Sequence, residues 1–153
     1  MNLEISSITP TEIELLYEFL SKQPFSYRKD FHPFQEESID FLESLITYST
    51  KDRYYMVTLN GMFAAFFMLR GWQEGFERPS FGLLVDHQHA NKGLGKLCMQ
   101  AALTECRILG IKEIMLKVSP SNTFAMKIYT NEGFKFNSCC KNTGHFMLVK
   151  QLL

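Results

Sequence analysis

The sequence predicts a mixed α/β fold: a central, mostly antiparallel sheet of about seven strands with helices on both faces and one parallel β-α-β unit at its centre. Three features lead there. Residues 80–119 read as strand, helix, strand, which sets two strands parallel through a right-handed crossover. Asn60-Gly61 joins two apolar runs and Asn142-Thr143-Gly144 joins two more, so antiparallel hairpins flank that unit. No repeat, low-complexity tract or Gly/Ser/Pro-rich linker divides the 153 residues, and that length suits one domain, 1–153.

Taken in order, residues 3–8 (LEISSI) form a short strand. Thr9-Pro10-Thr11-Glu12 then opens a helix with an N-cap, a proline at the first helical position and a capping-box glutamate. Ile13, Leu16 and Leu20, flanked by Leu15 and Phe19, give that helix its apolar stripe. QPFSYRKDFHPFQ (23–35) is a loop rich in aromatic and charged residues, and a second helix follows with Ile39, Leu42, Leu45 and Ile46 on one face. Strands 53–60 and 62–69 meet at Asn60-Gly61, where both residues tolerate positive φ. A polar turn, 70–79, leads into strand 80–86. The next helix runs to about Leu109, with Leu94, Leu97, Cys98, Ala101 and Ile108 on one side and Glu105 interrupting them. Gly110 ends it, and strand 111–119 follows. A helix over 122–131 stops at Gly133, and strands 134–140 and 145–152 close the chain.

Lys+Arg and Asp+Glu both number 16, so no net charge draws the chain to nucleic acid or an anionic membrane. The start, MNLEISSITP, lacks the basic and apolar regions of a signal peptide, and the longest strongly apolar run, 62–69, is far short of the ~20 residues of a membrane span. Cys98, Cys106, Cys139 and Cys140 match no zinc or redox spacing, which predicts reduced thiols, no metal and a cytoplasmic protein.

The stretch DHQHANKGLGKLC (86–98) sets two glycines before a helix. A dinucleotide fingerprint would need glycine where Cys98 stands, and a P-loop would need glycine at Ala90 and Ser or Thr at Leu97. The loop nevertheless falls at the carboxyl end of a strand, where open α/β sheets bind ligands. Main-chain N–H groups of Lys92, Gly93, Leu94, Gly95 and Lys96 at a helix start can hold a pyrophosphate, aided by the helix dipole and the two lysines. The alternative is a tight turn with solvated lysines.

The second half of the chain bears on that choice. Ala90-Asn91-Lys92-Gly93-Leu94-Gly95 resembles the Q/R-x-x-G-x-G/A loop of the GNAT superfamily of acyl-CoA-dependent N-acetyltransferases. Asn122, Ala125, Tyr129 and Gly133-Phe134 fall in register with that family's next motif, and the element order matches over essentially the whole chain. Ala90 departs from the family's Gln or Arg, so one side-chain phosphate contact is missing.

The resemblance implies a GNAT-like fold and an N-acetyltransferase with acetyl-CoA as co-substrate and no metal. Asn91, Lys92, Gly93, Leu94, Gly95 and Lys96 would hold the diphosphate. Backbone groups near Leu84 and Val85 would pair with the pantetheine amides, and Asn122 would bond the pantetheine or cap its helix. A primary amine of pKa ~10.4 is neutral in only about one molecule in a few thousand at pH 7, so its proton needs a route away. Tyr129 is the expected general acid at the leaving sulfur, with a core aromatic as its other reading. Glu77 leads the candidate bases, ahead of Glu74, Asp86, His87 and His89; His145 reads as structural. The acceptor is expected to be a small-molecule amine, with an amino sugar or sugar nucleotide suggested by the turn LRGWQEGFERPSFG (69–82) and a peptide amine as the alternative. The aromatic loop and Trp72 would rim the acceptor cleft. A non-catalytic acyl-CoA sensor and a different phosphate-binding enzyme are the competing classes, and the chain is expected to be a monomer or homodimer without nucleic-acid or membrane partners.

Overall fold

A computed structural model describes residues 1–153. The strands are β1 (Leu3–Ser7), β2 (Arg53–Leu59), β3 (Met62–Arg70), β4 (Ser80–Val85), β5 (Glu113–Val118), β6 (Lys135–Cys139) and β7 (Phe146–Gln151). The helices are α1 (Ile13–Lys22), α2 (Ile39–Thr47), α3 (Leu94–Ile108) and α4 (Thr123–Asn131), with 3-10 turns at Pro10–Glu12, Trp72–Glu74 and His87–His89. One seven-stranded sheet runs β1-β2-β3-β4-β5-β7-β6, antiparallel except between β4 and β5. The chain therefore inserts its last strand between β5 and β6. No helix is long and apolar enough to cross a membrane.

Alternation along the strands sorts the apolar residues onto two faces. One face brings Val57, Phe67, Phe81, Ile114, Leu116 and Leu148 under α3 and α4. The other brings Tyr54, Phe66, Met68 and Leu84 under α1 and α2. β3 is buried on both sides, which is why MFAAFFML reads as an unbroken apolar run. Helices α1 and α2 pack over the β2–β4 half only; β5, β6 and β7 place no residue in that second core.

Local chemistry moves four expectations. The Thr9 hydroxyl bonds the Glu12 carboxylate instead of a helix amide, so the predicted capping box becomes a 3-10 turn before α1. In α3 the buried stripe is Leu94, Cys98, Met99, Ala102, Leu103 and Cys106, rotated from the predicted one, and Ile108 is 80% exposed. Glu105 does not interrupt that stripe: it accepts from the Tyr55 hydroxyl at 2.6 Å and pairs with Arg53 at 3.2 Å. Ile39 opens α2 but is exposed, leaving Leu42 and Ile46 as that helix's buried contacts.

Candidate functional site

Strands β4 and β5 pair only at Ser80↔Met115 and Phe81↔Leu116, then separate. The other edge of β4 stays on β3 as far as Ala65↔Val85, and the Asp86 N–H continues onto the Ala64 carbonyl at 2.8 Å. Main-chain groups alternate across a strand, so those of Gly82, Leu84 and Asp86 face β3 while those of Phe81, Leu83 and Val85 face β5. Past Phe81 the sheet thus opens into a wedge with a free strand edge on its β4 side. Leu84, with its side chain also buried under α1, offers this wedge no polar group; Leu83 and Val85 do. The Tyr27 hydroxyl, from the loop after α1, donates to the Val85 carbonyl at 2.8 Å. Arg28 holds that loop by bonding the carbonyls of Leu20 and Phe31 and pairing with Glu37.

Asp86 is buried at the end of β4 and is surrounded by donors. Gln23 Nε2 lies 3.3 Å from it, the Gln88 N–H 3.4 Å, His89 Nδ1 3.3 Å and Lys22 Nζ 3.6 Å. Burial opposes its ionisation, but the bonds from Gln23, Gln88 and His89 and the charge of Lys22 outweigh burial and hold its pKa below the ordinary value. The Gln23 side-chain oxygen Oε1 in turn accepts the His87 N–H at 2.9 Å.

After the His87–His89 turn, Ala90 is extended, Asn91 takes φ +62° and Gly93 takes φ +91°, which only glycine adopts without strain. Gly93 caps α3. The N–H groups of Gly93, Leu94, Gly95 and Lys96 find no acceptor in the chain, as befits the first turn of a helix. Gly95 has no steric need to be glycine: an added Cβ would meet only Leu83 Cδ2 at 3.4 Å and Val85 Cγ2 at 4.0 Å. Its bareness keeps the mouth of the wedge open. Asn91, Lys92, Gly93 and Lys96 are exposed, and Lys92 Nζ folds back to the Gln88 carbonyl at 3.3 Å.

Helix α4 begins just past β5. Asn122 caps it, its side-chain oxygen accepting the Ala125 N–H at 3.1 Å, which leaves the amide NH2 free. Tyr129, in the second turn, packs on the α3-side core with its ring 6.1 Å from Phe134. Its hydroxyl makes no hydrogen bond within the chain, and burial pushes its pKa up to about 12. It therefore remains a proton donor across the physiological range.

The structure does not bring Glu77 to this cleft. Glu77 precedes β4, in a turn beside Gly110–Glu113 at the far end of α3, a helix about 22 Å long at 1.5 Å per residue. Glu74 lies in the same turn. Trp72 joins the α3-side core, and Gln73 and Asp52 tie the turn to the α2–β2 loop, so the turn is engaged away from the wedge. The free edge at Leu83 and the Tyr27–Val85 contact also lie at this opening and were not among the sequence expectations. The alternation of LLV could have found Leu83; Tyr27 carried no signal, since its contact with Val85 joins residues 58 apart.

The free edge of β4 and the bare start of α3 meet at one opening. That combination fits an extended ligand that pairs along the strand edge and sets an anionic group at the helix start. The sequence pattern of the acetyltransferase (GNAT) family matches residues 13–134. The chain belongs to that family.

Among known relatives of this GNAT protein, the spermine/spermidine N(1)-acetyltransferase of Bacillus subtilis is 30% identical over 69 residues, which cover 44% of this chain and 45% of that enzyme. The match thus spans less than half of its length. A GNAT-family acetyltransferase from Streptococcus pneumoniae superposes with a TM-score of 0.81 at 19% identity, over 99% of this chain and 100% of its own. The PaiA N-acetyltransferase of Thermoplasma acidophilum, in complex with coenzyme A, gives 0.75 at 18% identity over 99% of both chains. At these identities the two structures establish the fold.

Proposed function

We propose that the chain transfers the acetyl group of acetyl-CoA to a primary amine of a small molecule, by direct attack within a ternary complex. The wedge between β4 and β5, ending at the unpaired amides of α3, supports this reading most. The diphosphate takes the amides of residues 93–96, with Asn91, Lys92 and Lys96 around it. The pantetheine amides add to the free edge of β4 at Leu83 and Val85, with the Asn122 amide within the same opening. The thioester then stands at the closed end, beside Gly82. Ala90 removes one side-chain contact, and the main-chain cradle remains complete without it.

The amine nitrogen attacks the thioester carbon; the C–N bond forms, the C–S bond breaks, and its electron pair leaves on sulfur while the amine releases one proton. Tyr129 donates a hydrogen bond to that sulfur as its charge grows. No carboxylate is assigned as base: Glu77 is remote, and Asp86 is surrounded by donors that lower its basicity. The proton leaves through water at the open face of the wedge, so the neutral amine is the reacting form.

The name of the Bacillus relative makes linear polyamines the first acceptors to test, ahead of amino-sugar nucleotides, whose suggestion came from the turn around Trp72. Four free cysteines accord with a cytoplasmic setting. Calorimetry with coenzyme A and with ATP tests the cofactor; binding of ATP but not coenzyme A overturns the reading. Thiol release from acetyl-CoA with spermidine, spermine, an amino-sugar nucleotide and a free-amine peptide then names the acceptor. Tight binding of acetyl-CoA with no release on any amine would identify an acyl-CoA sensor instead.

A further inference from the structure

Resting on the acetyl-transfer reading above, we propose that Met68 sets the length of acyl chain the protein accepts. The wedge closes at Phe81↔Leu116, so a ligand entering from the α3 amides ends its reach beside the next residue, Gly82. Toward α3 the fork is filled by buried Phe81 and Leu116, and nothing there can yield to a longer chain. Toward α1 and α2, Gly82 has no side chain, and its cross-strand partner Met68 leans over it.

The approach is close. A Cβ built on Gly82 would stand 2.4 Å from Met68 Cε, 3.1 Å from Cγ and 3.5 Å from Sδ. Met68 Cε therefore lies over Gly82 on the α1/α2 side of the sheet, one residue beyond the last β4–β5 pair, and Met68 is buried to 6% exposure. A side chain at 82 would have to displace the end of this thioether. The φ of Gly82 is not among the positive ones, so its backbone alone does not demand glycine. An unbranched, flexible side chain is suited to filling a gap of this shape. An acetyl methyl ends short of it; added methylenes run into Cε.

Calorimetry of the full chain with coenzyme A, acetyl-CoA and butyryl-CoA tests this without knowing the acceptor. Unmodified protein should bind butyryl-CoA about ten-fold or more weakly than acetyl-CoA, as expected when methylenes are refused by a tight apolar site. Met68→Leu nearly conserves volume but ends one atom short, and should narrow that ratio about three-fold or more; Met68→Ala should narrow it further. Should Met68→Ala fail to fold, Met68→Leu still decides. Equal binding of the two thioesters by the unmodified protein overturns the proposal. So does an unchanged ratio in a folded variant that binds coenzyme A normally. Failure of coenzyme A itself to bind is a different result, and it removes the transferase reading along with this one.

Discussion

At the start of β4, Arg78 donates to Glu113 at 2.8 Å and Gln151 donates to the same carboxylate at 2.7 Å. The adjoining turn is clamped from both sides. Gln73 Oε1 accepts the N–H groups of Thr50, Lys51 and Asp52 at 2.8, 3.2 and 3.3 Å, and Asp52 accepts those of Gly71 and Gln73 at 3.0 and 3.2 Å. At the other end of the same strand, four successive amides and the main-chain edge at Leu83 have no partner in the chain. One end satisfies its polar groups internally and gains rigidity; the other withholds them, and that is where a ligand can compete with water. Ligand binding is therefore expected at the unsatisfied end, even though charged side chains crowd the satisfied one.

Substitutions at the two ends should separate catalysis from stability. The largest effect is expected for Tyr129→Phe. Loss of the donor at sulfur should lower kcat about a hundred-fold or more while coenzyme A affinity in calorimetry stays the same; an unchanged kcat would make Tyr129 a packing residue. Gly95→Ala should weaken coenzyme A binding roughly ten-fold, through the loss of close approach worth about 1.5–3 kcal/mol per charged hydrogen bond. The same change should raise thermal stability by about 0.5–1 kcal/mol, as Ala does for Gly in a helix. Opposite signs on two readouts of one variant are a stringent check.

At the satisfied end, Gln73→Ala should cost about 1–3 kcal/mol in denaturant unfolding, because three amides lose their shared acceptor, with coenzyme A affinity untouched. The smallest effect is expected for Glu77→Gln. With a neutral amine as nucleophile, kcat/KM for the acceptor should climb about ten-fold per pH unit from about 7 to 9. Tyr129, with its pKa raised to about 12, keeps its proton and imposes no alkaline downturn in that range. The Glu77→Gln profile should overlie the parent's, whereas a plateau that this variant abolishes would restore Glu77 as the base.

The order of elements was legible because its punctuation is chemical: Asn60, Gly61, Gly110, Gly133 and Gly144 all take the positive φ that turns and helix ends require. The glycine loop was legible from its place between a strand and a helix, and Tyr129 was singled out only through the family resemblance. The position of β7 between β5 and β6 was not, since a closing hairpin fixes which strands pair with each other and not which one meets the rest of the sheet. The α3 stripe was misplaced because apolar residues occupy two adjacent faces of LGKLCMQAALTECRI, and only the strands beneath choose between them. Glu77 looked close to the chemistry because it is near β4 in sequence. The strand then runs away from it, and position along a strand decides what reaches the wedge.

The carboxylate of Asp86 ties Lys22 and Gln23, where the aromatic loop begins, to Gln88 and His89, where the approach to the glycines begins. Both walls of the opening thus share this carboxylate as a common anchor. A substitution that displaces the aromatic loop is therefore expected to displace the approach to the glycines as well. The bare side of β5 and β7, tethered to no such anchor, is the freer ground for diversification.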